Sequence, residues 1–97
     1  MIPLDAIVVA SDRQLSTTLA GEVIILGLDD SIYYGLNGAG ARIWELLQTP
    51  RTIRDVVDAI TTEFDVDRER AAADLGALFT DLESRGLIAV TRSPADR

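Results

Sequence analysis

The apolar positions of this chain change their period once. Up to Leu36 they come in short unbroken or alternating stretches, and from Ile43 onward they recur at helical spacing. Ile7–Ala10 (IVVA) predicts a first strand, with Pro3 keeping the lead-in extended. Glu22–Leu28 (EVIILGL) is a continuous apolar run of strand length and β-branched character. Between them Ser11–Gly21 is polar enough for a turn, and Thr17–Ala20 can extend either strand. Asp29-Asp30-Ser31 predicts a tight connection, because Asp and Ser side chains bond their own backbone in turns. Ile32–Leu36 then pairs with Val23–Leu28 as an antiparallel hairpin.

Three helices follow. Asn37 is placed to cap the first, which carries Ile43, Trp44 and Leu47 on one face and stops before Pro50. Thr52 caps the second, with Asp55 at N3 as a shortened capping box. Its stripe is Ile53, Val56, Val57, Ile60 and Phe64. Asp67 caps the third, whose stripe is Ala71, Leu75, Leu78, Phe79 and Leu82. Gly86 ends it, and Leu87–Thr91 forms a last short strand. The order β-β-β-α-α-α-β predicts an α+β fold: a winged helix-turn-helix with an N-terminal three-stranded antiparallel sheet. One domain spans 1–97, with an ordered core of about 5–91 and frayed residues at Ser93–Arg97.

The strand Ile32–Leu36 is the most informative part. It holds no Lys, no Pro and no inward-pointing charge, the usual guards of a sheet edge. At an edge it would take a partner segment as an added strand, with backbone hydrogen bonds giving affinity and alternate side-chain pockets giving specificity. Tyr33 and Tyr34 then cover opposite faces of the sheet. Small residues on the third helix, Ala73 and Ala77 among them, leave room for a groove beside it.

Composition removes most other chemistry. Sixteen acids against nine arginines give a net charge of −7, with no Lys. That balance repels phosphate backbones and anionic membranes. Neither a nucleic acid nor a membrane is therefore an expected partner. The third helix offers Arg68 and Arg70 against Glu69, Asp74, Asp81 and Glu83, which is unlike a DNA recognition helix. No apolar run approaches the roughly 18 residues of a membrane span, and the start lacks a basic n-region, so a cytoplasmic protein is expected. His and Cys are both absent, which removes the commonest general base and the strongest nucleophile. An enzyme is not expected, nor a cofactor. Gly38-Ala39-Gly40 starts like a dinucleotide fingerprint, but its third glycine position is Ile43. Asp65-x-Asp67 lacks the glycine and distal Glu of a calcium loop and reads as a helix cap.

Four segments together resemble a known family. Tyr34-Gly35-Leu36-Asn37, Ile43-Trp44-Glu45-Leu46-Leu47, Thr52-Ile53 with Val56, Val57, Ile60 and Phe64, and Leu82-Glu83-Ser84-Arg85-Gly86-Leu87-Ile88 look like the PqqD-like proteins. The match runs over roughly positions 7 to 90. The resemblance implies a precursor-peptide recognition element of a ribosomally made, post-translationally modified peptide pathway. It is most like the stand-alone recognition proteins of lasso-peptide biosynthesis. The implied partners are the precursor's leader, a cysteine-type leader peptidase and an ATP-dependent macrolactam cyclase. A peptide chaperone serving a radical-SAM enzyme is the alternative at this level, and a winged-helix DNA-binding regulator is a more distant one.

In that family the leader docks antiparallel to the third predicted strand, in a groove shared with the third helix. Carried over, the strand residues are Ser31, Ile32, Tyr33, Tyr34, Gly35 and Leu36. On the helix, Leu75 and Leu78 supply an apolar floor, and the flank bearing Arg70, Asp74, Ala77 and Asp81 is the one chosen to meet the ligand. Arg85 and Arg92 receive no role.

Overall fold

A computed structural model of the chain describes residues 3–91. The fold is α+β, with three helices and two three-stranded antiparallel sheets among those residues. The order is β1 (Ile7–Ala10), β2 (Gln14–Leu19), β3 (Glu22–Gly27), β4 (Tyr33–Leu36), α1 (Ala39–Leu46), β5 (Arg51–Thr52), α2 (Ile53–Glu63), α3 (Arg68–Ser84) and β6 (Ile88–Thr91). Winged helix-turn-helix describes it loosely, because the closing strand β6 pairs with β1 rather than with a wing of its own.

The N-terminal sheet exists with different membership. It is the meander β2-β3-β4, and β1 stands between β5 and β6 in the second sheet. β2 comes from the segment expected to be a turn. Its hairpin closes through Ala20 and Gly21, both at positive φ, the two-residue turn that matches the twist of the strands. Gly21 supplies that conformation without a Cβ penalty. The pairing of β3 with β4 is the one the apolar pattern predicts, from Val23 opposite Leu36 to Leu26 opposite Tyr33.

The helices bury the predicted stripes. Ile53, Val56, Val57 and Ile60 of α2 meet Ala71, Leu75, Phe79 and Leu82 of α3 in one core, with Val23 and Ile25 of β3 and Ile43, Trp44 and Leu47 beneath. The Trp44 indole N–H donates to Ser16 Oγ at 3.1 Å, tying α1 to β2. Thr52 and Asp67 cap as expected, accepting from Asp55 N and Arg70 N at 3.1 Å each. Gly86 ends α3 at φ 75°.

Two local expectations need correction. The cap of α1 is Gly38 at φ 56°, with no side-chain bond, and Asn37 contributes its carbonyl, which accepts from Gly40 N at 3.0 Å. The strand expected from Ile32 begins at Tyr33. Ser31 sits at φ 57°, and Ile32 N donates to Asp30 Oδ1 at 3.0 Å, so Asp30 closes the turn that Ile32 would otherwise extend. The fraying expected at Ser93–Arg97 lies outside the described residues.

Candidate functional site: an open strand edge beside the α3 groove

β4 pairs with β3 and, among the described residues, with no other strand. Antiparallel partners alternate between pairs that exchange backbone bonds and pairs that do not. Gly27 N donates to Ile32 O at 3.0 Å, which fixes the phase. Tyr34 and Leu36 therefore bond inward to Ile25 and Val23, while Tyr33 and Gly35 turn their N–H and C=O away from the sheet. The outward groups alternate along the strand, as a guest strand requires. Tyr33 is 69% exposed, and Tyr34 and Leu36 are half-buried against the core.

α3 runs alongside in the opposite direction. At its N-terminal end a cleft of about 430 Å³ opens between the helices, lined by Gly40 and Ile43 of α1, Ile60 of α2, and Arg70, Asp74, Leu75 and Leu78 of α3. Gly40 lies so close to β4 that a Cβ there would come 3.4 Å from Leu36 Cδ2. This close approach joins the cleft to the strand. The floor is apolar. Asp65, Asp67 and Asp74 face Arg70 around the rim, and Arg70 pairs loosely with Asp74 at 3.9 Å.

The other end of the groove is spanned by a side chain that sequence reasoning left without a role. Arg85 reaches from the end of α3 to β4, with its guanidinium 4.9 Å from the Tyr34 ring centre. Its Nη1 donates to the Tyr34 hydroxyl at 2.6 Å and its Nε to Asp81 Oδ1 at 3.1 Å. The Tyr34 hydroxyl lies 3.3 Å from Asp30 Oδ2. These contacts raise the Arg85 pKa, first through the bond to Tyr34 and then through Asp81. The two walls are thus fixed relative to each other by an arginine over a tyrosine.

The helix residues Arg70, Asp74, Leu75 and Leu78 line the cleft, and Tyr33, Tyr34, Gly35 and Leu36 make up β4, whose Leu36 side chain lies against Gly40 at the cleft's border. Ser31 and Ile32 lie just before β4, in the turn. Ala77 is displaced. It lines a broad second groove with Pro3, Leu4 and Gly76 on the far side of α3, because two steps of 100° carry it most of the way round the helix from Leu75. Asp81 borders that second groove too, while its carboxylate bonds Arg85. No group of three or more His, Cys, Asp or Glu among the described residues could hold a metal ion. No helix among them is long and apolar enough to cross a membrane.

The family model for coenzyme PQQ synthesis protein D (PqqD) matches residues 22–88, more than half of the chain. The chain belongs to the PqqD family. Its structure is similar to that of TbiB1 in complex with the TbiA(beta) leader peptide, with 35% identity, a TM-score of 0.77, and coverage of 82% of this chain and 93% of that one. A lasso peptide synthetase B1 complexed with its leader peptide shares the fold at 24% identity and a TM-score of 0.74, covering 84% of this chain and 96% of that one. No curated protein matches the sequence. The match to the PqqD family includes β3, β4, all three helices and the first residue of β6, so both walls of the groove fall inside it.

Proposed function

We propose that this PqqD-family chain is a non-enzymatic recognition element that binds the leader of a ribosomally made precursor peptide by strand addition along β4. The observation that carries the proposal is the outward alternation of Tyr33 and Gly35 beside an apolar cleft. A guest strand paired antiparallel to β4 satisfies those groups. Its side chains opposite Leu36 and Tyr34 fall on the face of the sheet that packs on the core, the second beside Arg85. Residues further towards the guest's N-terminus reach the cleft at Gly40 and Leu75. TbiB1 at 35% identity, solved with a leader peptide, supports leader peptide as the ligand class.

The family resemblance of the sequence implies lasso-peptide biosynthesis, with a cysteine-type leader peptidase and an ATP-dependent macrolactam cyclase as the enzymes supplied, and the fold shared with a lasso peptide synthetase B1 fits that pathway. Holding the leader raises the effective concentration of the attached core at enzymes that bind it weakly alone. The chain needs no reacting group of its own for that role.

The test is a calorimetric titration with the synthetic leader encoded beside this protein's gene. One-to-one binding is expected. Gly35→Pro removes one outward donor and leaves the bonds of β4 to β3 in place, so it should weaken binding at least tenfold, about 1.4 kcal/mol, with little change in stability. Leu78→Asp places a charge on the apolar floor and should weaken it comparably. Leader binding that is unaffected by both variants would refute the edge site.

A further inference from the structure

The β2-β3-β4 sheet has two edges, and leader binding uses one. β2 forms the other, pairing with β3 alone among the described residues. Gln14–Leu19 contains no Pro, no Lys and no charge, and it pairs with β3 residue for residue without a bulge. In a chain of net charge −7, six consecutive uncharged residues leave this edge with none of the usual protections.

The directions of its groups are fixed. Leu28 N donates to Arg13 O at 3.0 Å, so Leu15, Thr17 and Leu19 bond to β3, and Ser16 and Thr18 turn their N–H and C=O outward. Leu15 and Leu19 are 63% and 69% exposed. Residues 15–19 read Leu-Ser-Thr-Thr-Leu, which presents the same chemistry from either end about Thr17. A strand of that kind is its own complement.

We propose that β2 pairs antiparallel with β2 of a second copy of this chain, about a twofold axis through Thr17, to give a continuous six-stranded sheet. In that register Ser16 exchanges both backbone bonds with Thr18 of the partner subunit, and Thr18 does so with the partner's Ser16. Every outward group of the two residues is then satisfied. Leu15 faces the partner's Leu19 at a position that exchanges no backbone bond, where Cβ atoms approach to roughly 4.5–5.5 Å. Thr17 faces the partner's Thr17 on the axis.

Other registers do worse. A shift of one residue sets outward groups against residues already bonded to β3. A shift of two towards the turn sets Ser16 opposite Ala20, which lies in the left-handed turn. A shift of two the other way pairs Ser16 with the partner's Ser16 and Gln14 with the partner's Thr18, but parts the two exposed leucines and leaves Leu19 opposite the charged Arg13. A foreign peptide would gain backbone bonds here but no side-chain pocket, since neither cleft along α3 reaches β2. A single strand pair buries less than the roughly 1,200 Å² of a standard interface, so the dimer dissociates on dilution. It leaves both β4 edges open.

Sedimentation velocity across a concentration series up to NMR conditions tests this. The wild-type mass should rise towards twice that of the monomer. Thr17 is exposed on the outer face opposite Ile24, so Thr17→Lys and Thr17→Glu should each fold normally and stay monomeric, with like charges meeting on the axis. An equimolar mixture of the two should restore the dimer. Wild-type protein that remains monomeric throughout would overturn the proposal, as would a Thr17→Lys dimer of unchanged strength. A dimer abolished by Gly35→Pro but not by Thr17→Lys would also overturn it, by moving the contact to β4. Leader titration of Thr17→Lys separates this from the recognition role, since its affinity should equal that of wild type whichever result the sedimentation gives.

Discussion

At Gly27 a single added methyl group would sit 2.6 Å from Asp30 Oδ1, the oxygen that accepts from Ile32 N and closes the β3–β4 turn. Gly27→Ala should displace that carboxylate and cost about 1 kcal/mol, read by chemical denaturation. Arg85 shows a different dependence on its surroundings. Its pairing with Asp81 four residues earlier looks like an ordinary helix-surface contact, and nothing nearby in sequence points to Tyr34, 51 residues away. The strap across the groove was therefore invisible until the chain was folded. Arg85→Met should leave the fold intact and weaken leader binding several-fold. Arg85→Lys should fall between, because it keeps a cation over the ring but loses the planar fork.

The helices were the readable elements. Ile53, Val56, Val57 and Ile60 follow a 3.6-residue period, and the caps Thr52 and Asp67 stand where their side chains can accept the first orphan N–H groups. Thr52→Ala and Asp67→Ala should each cost about 1 kcal/mol and add when combined, since they act on separate helices. β2 was not readable, for a definite reason. Its inward positions are the polar Gln14, Ser16 and Thr18, and its leucines point to solvent, so no apolar face marks it as a strand. β5, at two residues, carries no period at all. Arg42 joins α1 to α2 through Glu63, donating from Nε at 2.8 Å and Nη2 at 3.1 Å, and this hydrogen bond lowers the Glu63 pKa. A carboxylate lowered on folding stabilises the native state above its ordinary pKa, and that contribution disappears as pH falls through the folded value. Acid unfolding of Glu63→Gln should consequently show a smaller drop in stability below about pH 4 than wild type does.

For the molecule as a whole, the open edge of β4 was foreseeable because the strand carries none of the residues that would close it. The cleft at its far end needed three helices brought together. Asp74, Leu75 and Leu78 line that cleft, whereas Ala77 lines the groove on the far side of α3. Amide hydrogen exchange of the protein with and without the encoded leader probes the β4 edge most directly. Saturation with leader should slow exchange at Tyr33 and Gly35 by at least tenfold and leave Ser16 and Thr18 on the opposite edge unchanged at dilutions where the chain is monomeric. Unchanged exchange at Tyr33 and Gly35 in a fully bound sample would contradict strand addition at β4.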